Sequence, residues 1–236
     1  NRLSPKNVPK LFKQDKSNRI MILEFINGEQ YNKKNLPTME DIEGAVEFYK
    51  KINSYINMSR KTIKHFASDY FPSTFEHMNH VDQRIKNLSD YQINDSLKNE
   101  VRYCLDLLEN HWRELKTFIF KEYSDSTISK KISMEDLQIS PSDFGFHNAL
   151  RTNTGPVFFD FEFSGWDDPA KTIIDFFLQP SVPVNNIYFD RVREGFTLQS
   201  SDDKIIDRIA CLHSVLRTKW LCIILNVLNK NRRKEM

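Results

Sequence analysis

Glycine is scarce in this 236-residue chain, and what there is stays scattered. Gly28, Gly44, Gly145, Gly155, Gly165 and Gly195 never cluster, which excludes a glycine-rich cover over phosphates and a Walker-type loop within the sequence. Cysteine is scarcer still. Cys104, Cys211 and Cys222 lie in helix-like apolar patterns with no Cys-x-x-Cys spacing, so reduced, buried thiols of a cytosolic protein are expected rather than disulfides or zinc. Long apolar runs are missing too. The most apolar C-terminal run, Trp220 to Leu225, falls far short of the ~20 residues that span a bilayer, and no signal peptide opens the chain. Nor does one charge dominate: Lys plus Arg is 34 against 32 Asp plus Glu, a net charge of +2, which gives no reason to expect nucleic acid or an anionic membrane as the main partner. There is no internal repeat or low-complexity segment, and the first residue is Asn rather than Met, which reads as a fragment or a processed chain.

The length allows one large domain or two small ones with a sizeable core. Val8 to Phe12 and Arg19 to Ile26, separated by the polar turn Asp15 to Asn18, read as two strands of a hairpin. Ile20 to Ile26 is apolar on both faces until Asn27-Gly28, the pattern of a buried strand. Thr38 caps a helix that carries Ile42, Ala45, Val46, Tyr49 and Ile52 at helical spacing, with Asp41 in its first turn. Ser59 to Tyr91 has no clear arrangement. Asp95 or Ser96 opens a long helix whose stripe is Leu97, Val101, Leu105, Leu108, Trp112, Leu115 and Ile119, a core face rather than a cofactor box. Pro169 suits the first turn of a helix to Leu178, which Pro180 to Pro183 ends. Ser201 or Asp202 opens a last helix with Ile205, Ile209, Leu212, Leu216, Trp220, Ile223 and Val227 on one side, and Lys230 to Lys234 suits the C-terminal pole of its dipole.

The densest chemistry lies between Ile139 and Asp175. Asp143 and Asn148 are five apart, and Asp160 follows within the apolar segment Pro156-Val157-Phe158-Phe159-Asp160. The turn signal Asn153-Thr154-Gly155 makes the intervening chain a small hairpin that carries Asn148 and Asp160 toward one end. An amide oxygen and a carboxylate on facing strands suit a hard cation such as Mg2+, which takes a few protein oxygens and completes its shell with phosphates and water. Asp-x-x-x-x-Asn followed by a strand-borne Asp-Phe is also the order of phosphoryl-transfer sites, where the first Asp positions the attacking hydroxyl and accepts its proton. His147 lies inside this window, but a lone histidine more often packs or bonds locally. His77 and His80, three apart, have no clear third partner for zinc.

The stretch resembles the phosphotransferase family that includes aminoglycoside and choline kinases. Those proteins run His-Gly-Asp, an Asn five residues on, Ile-Asp-Phe or Ile-Asp-Trp with an acidic residue, Asp-Pro, and then a helix-borne Asp. Here the sequence has Pro141-Ser142-Asp143, Asn148, Asp160-Phe161-Glu162, Asp168-Pro169 and Asp175. Five features in order make the match specific; Pro141-Ser142 in place of His-Gly is a departure that alters the support of the loop.

The resemblance implies an α+β, mostly helical fold: residues 29–236 as the large lobe of a protein-kinase-like phosphotransferase, and 1–28 as small-lobe remnant strands and hinge. It implies ATP or GTP with Mg2+ as cofactors and a small-molecule hydroxyl as acceptor; the cytoplasmic location is expected from the reduced cysteines instead. Asp143 would be the catalytic base, Asn148 and Asp160 the metal ligands, and Asp175 a brace for the loop. Leu23, Glu24, Phe25 and Ile26 would meet the nucleotide base at the hinge. Glu162 is read as a second metal or substrate contact or an exposed strand-end carboxylate, and Trp166, Asp167 and Asp168 as an acidic acceptor wall or structural residues. No strand resembling Val-Ala-Ile-Lys precedes the hinge, so most of the small lobe is missing from the match and this chain by itself is expected to fold but transfer phosphate poorly. The competing expectation is a binding or scaffold module that keeps the fold without the chemistry. The sequence sets neither the acceptor nor the oligomeric state.

Overall fold

The computed structural model describes residues 4–89, 98–197 and 202–228. Asp95, Ser96 and Leu97, Tyr91, Ser201 and the basic run Lys230 to Lys234 lie outside the described residues. The chain divides into two compact units, one built from residues 1–70 and 134–205, the other from 71–133 and 206–236.

The first unit opens with strands β1, Leu11–Asp15, and β2, Ile20–Leu23, paired antiparallel. Asp15 closes the turn between them by accepting from the backbone N–H groups of Ser17 and Asn18. The burial expected of the second strand is wrong. Ile20 is 56% and Met21 59% exposed, and Phe25 is 91% exposed. The apolar pattern was read correctly as a strand, but a two-stranded sheet offers no layer to bury it.

A short strand β3, Glu29–Gln30, leads to helix α1, Met39–Asn53. Thr38 and Asp41 form a reciprocal capping box at its start. Ile42, Ala45, Val46 and Tyr49 are buried, as their spacing predicts. Gly44 is required by close approach: a Cβ there would sit 2.4 Å from Pro156 Cδ. Helix α2, Ile56–Thr62, fills part of the stretch whose arrangement sequence left open. Strands β5, Ala149–Thr152, and β6, Gly155–Phe158, form the expected hairpin, with Gly155 at φ 107° in its turn. The two-residue β3 was too short to read, yet it adds to β5 as a third strand. Strands β4, Gln138–Ser140, and β7, Gly165–Asp167, make a second small antiparallel sheet.

The second unit is helical. Helices α3, Thr74–Ser89, and α4, Lys98–Glu122, bury Met78, Val81, Ile85 and Leu88 against Val101, Leu105, Leu108 and Trp112. Asp82 accepts from Trp112 Nε1 and from Lys116 Nζ, each at 2.7 Å. A short helix α5, Asp125–Ser129, adds Ile128 to this core. In the first unit, helix α6 runs Pro169–Leu178 and helix α7 Phe189–Phe196. The last helix, α8, runs Asp202–Leu225. Leu212, Val215, Leu216 and Cys222 are buried along it, whereas Val227, expected on the same stripe, lies in a terminal 3-10 turn and is exposed. Cysteine burial holds for Cys211 and Cys222 only: Cys104 faces out of its helix, and all three are free thiols.

Candidate active site

The segment Asp143 to Asn148 alternates polar and aromatic residues, and its structure follows from that alternation. Phe144 is buried against Phe48, Phe158, Phe176 and Phe196, with ring centroids 5.1–5.7 Å apart, and Phe146 against Tyr31 and Phe176. Two aromatic anchors driven into one core fix the loop, so Asp143, His147 and Asn148 are left between core and solvent. A 3-10 turn over Phe146–Asn148 closes it, with Asn148 N–H donating to the Gly145 carbonyl.

The Asn148 amide nitrogen donates to the Asp143 carbonyl at 3.0 Å and to Asp143 Oδ2 at 3.2 Å. Both partners are acceptors, so the nitrogen must face them, and Asn148 Oδ1 is the atom left for another ligand. The hairpin then carries the chain back: Phe159 N–H donates to the Asn148 carbonyl at 3.0 Å, one rung beyond the Ala149–Phe158 pair. Asp160 follows at once, exposed and in the left-handed region at φ 63°. The structure thus brings Asp143 and Asn148 into contact and sets Asp160 at the end of the strand beside them.

Pro141 and Ser142 stand where the resembling family has His-Gly. Ser142 is also left-handed, φ 69°, and both its polar groups are tied: its N–H donates to Ser140 Oγ at 3.0 Å and its hydroxyl to the Ser68 carbonyl at 3.1 Å. Thr172 on α6 donates to the same Ser140 Oγ at 3.0 Å. Backbone strain of this kind persists only where the surroundings enforce it.

His147 Nε2 stands 3.1 Å from Asp143 Oδ1. That bond, outweighing the cost of burial, holds the Asp143 carboxyl below the ordinary value. Behind the loop lies a buried charge cluster that sequence reading missed. Lys171 Nζ sits 2.7 Å from Asp167 Oδ2 and 3.4 Å from Asp175 Oδ2. Burial pushes the Asp167 carboxyl up to about 6 against the pull of Lys171. For Lys171, burial works against the charge, but Asp167 and Asp175 outweigh it and its value is raised; the ammonium stays charged. The i,i+4 spacing 167-171-175 was the available signal, a weak one because lysine is rarely buried.

Asp175 lies in this cluster, close enough to raise the Asp143 carboxyl slightly by repulsion. Trp166, Asp167 and Asp168 do not form a solvent-facing wall. Asp167 and Asp168 are 0% exposed, Asp168 caps α6 through Ala170 N–H, and the Trp166 indole donates to the Ile63 carbonyl at 2.9 Å. Glu162 is exposed in the turn after Asp160. Leu23 to Ile26 end the first hairpin, where Glu24 bonds Lys10 through backbone and side chain. They lead onto β3, and Gly28 lies so close to β5 that a Cβ would meet the Arg151 carbonyl at 2.8 Å.

The chain matches no protein-family model and no curated protein sequence. Solved structures do match. The gentamicin–APH(2")-IIa complex aligns with a TM-score of 0.55 at 16% identity, covering 97% of this chain and 71% of that one. Choline kinase from Cryptosporidium parvum Iowa II aligns at 0.51 and 18% identity, covering 95% and 69%, and a choline/ethanolamine kinase family protein from Mesorhizobium loti at 0.52 and 14%, covering 94% and 66%. The chain has a protein-kinase-like fold. It is α+β and mostly helical, as the sequence resemblance implies, and it spans about two thirds of the length of these kinase structures.

Proposed function

We propose that this chain carries the catalytic half-site of a kinase that phosphorylates a hydroxyl of a small molecule from ATP or GTP with Mg2+. The observation that carries the reading is the Asn148 amide, whose nitrogen is committed to Asp143 while Asp160 stands exposed at the end of the adjoining strand. Two hard oxygen donors, Asn148 Oδ1 and Asp160, fit a Mg2+ ion that draws its remaining ligands from phosphates and water. Among the described residues no group of three or more His, Cys, Asp or Glu could hold a metal by itself, which fits such an open site better than a closed one. When bound, the metal would neutralise and orient the phosphates.

Asp143, part-exposed and anionic, is placed to orient the acceptor hydroxyl and take its proton. Asp175 and Lys171 support the loop from behind rather than meeting substrate. Leu23 to Ile26 are assigned to the nucleotide base, with the lobe boundary after Gly28, because that segment runs directly onto the sheet that ends in Asn148. Glu162 is the remaining exposed carboxylate for a second metal or the acceptor. The scaffold alternative rests on Pro141-Ser142 and on the missing small lobe; the bonds of Ser142 to Ser140 and Ser68 supply a support for the loop and weaken the first of these grounds. No described helix is long and apolar enough to cross a membrane, and a cytoplasmic location belongs to this proposal.

The test is a thermal-shift titration of the full protein with ATP and GTP, with and without Mg2+. Mg2+-dependent stabilisation that Asp160→Ala removes, while circular dichroism stays unchanged, is expected. A nucleotide shift equal in wild type and Asp160→Ala would overturn the assignment.

A further inference from the structure

Asp143 is not a free carboxylate. Oδ2 takes the Asn148 amide and Oδ1 takes His147 Nε2, so each oxygen is held from the protein side and each keeps lone pairs for an incoming hydroxyl. The two holds differ in kind. Asn148 divides its nitrogen between the Asp143 carbonyl and Oδ2, whereas the imidazole gives Oδ1 one directed bond.

The surroundings of His147 fix the ring as well as its partner. Its side chain is 18% exposed against 41% for Asp143. Nδ1 is buried and has no hydrogen-bond partner among the described residues. A proton there would bury an unpaired donor, so the geometry selects the tautomer with its hydrogen on Nε2, aimed at Asp143. The ring lies so close to the backbone that a Cβ at residue 145 would come within 2.7 Å of Nδ1 and 2.9 Å of Cε1. Gly145 is therefore the space into which the imidazole packs. Phe144 and Phe146, anchored in the aromatic core, hold the backbone on both sides of that glycine.

We propose that His147 is a positioning residue for phosphoryl transfer: its Nε2–H locks the Asp143 carboxylate in the orientation that receives the acceptor hydroxyl. This rests on the functional reading above. His147 neither touches phosphate nor takes the proton; it removes the swing of a half-exposed side chain before the hydroxyl arrives. The pair also explains why this loop carries both a glycine at 145 and a histidine at 147, two residues that the packing makes depend on each other.

The experiment compares, in the full-length protein, wild type, His147→Leu and His147→Gln in hydrolysis of Mg·ATP and Mg·GTP, with water as acceptor, alongside nucleotide KM and melting temperature. His147→Leu removes the donor and keeps bulk; His147→Gln returns an N–H donor. A fall in kcat of about 10–100-fold in His147→Leu, the range that misplaced catalytic geometry produces, with KM and melting temperature unchanged and rate restored by His147→Gln, supports the proposal. Unchanged kcat in His147→Leu overturns it. So does a joint loss of kcat, KM and thermal stability that His147→Gln fails to restore, which assigns His147 to packing alone. A wild type that binds no nucleotide and hydrolyses none overturns the kinase reading itself, and this proposal with it.

Discussion

Ser142 concentrates the question of how one residue can replace a family feature. It occupies a left-handed conformation that costs an L-residue about 1–2 kcal/mol, and its hydroxyl bond to Ser68 returns about 1 kcal/mol. Ser142→Ala keeps the strain and loses the bond, so it should be less stable than wild type by about 1 kcal/mol and melt at a lower temperature. Ser142→Gly loses the bond and sheds the strain, so its stability should lie within error of wild type; thermal melts of the three proteins rank them. For the neighbouring Asp143, Asp143→Asn keeps a group that can bond the acceptor but cannot take its proton. Turnover should fall by about 10²–10⁴-fold with nucleotide affinity retained, measured on one preparation; an equal loss of binding and rate would make the residue structural. The meeting of Asp143 with Asn148 and the return of the chain to Asp160 were legible because spacing and a turn signal fix them locally. The Ser142 conformation was not, since nothing in Pro-Ser-Asp announces a positive φ, and the His147 contact depends on a ring orientation that spacing does not specify.

Between elements, charged side chains do the tethering. Lys171 joins strand β7 to helix α6 through Asp167 and Asp175. Lys171→Met should destabilise the protein by about 3–5 kcal/mol, because two buried carboxylates lose their counter-ion, and adding Asp167→Leu to it should recover part of the loss in denaturant melts. Arg151 on β5 bonds Asp41 at 2.6 Å, with Tyr31 donating to the same carboxylate at 2.7 Å, which ties α1 and the segment before it to the hairpin. Burial would raise the Asp41 carboxyl, but Arg151, Thr38 and Tyr31 together hold it below its ordinary value. Its contribution is therefore full above the unfolded value of about 3.9 and is lost as pH falls through the lower folded value. Stability of wild type should drop more steeply below about pH 4 than that of Asp41→Asn, followed by urea melts across the acid range. The helix carrying Asp41 was legible from its cap and stripe. The Arg151 partnership was not, because the two residues are far apart in sequence and nothing local links them.

At the scale of the chain, sequence windows recovered contiguous things: the β5–β6 hairpin, α1, most of α4 and the run of α6 from its proline. They missed what depends on distant segments meeting. The first unit joins residues 1–70 to 134–205, a division that no local pattern encodes, and the exposure of Ile20 and Met21 followed from the absence of a covering layer rather than from their own chemistry. This division also has an optical consequence. Trp166 is the single tryptophan of the unit that carries the loop, while Trp112 and Trp220 belong to the other. Trp166 is buried and paired across the sheet with Ile139, two residues ahead of Pro141. With Trp112 and Trp220 replaced by Phe, its fluorescence becomes a private reporter of the first unit: blue-shifted and shielded from quenchers while β4 and β7 stay paired, red and quenchable once they part.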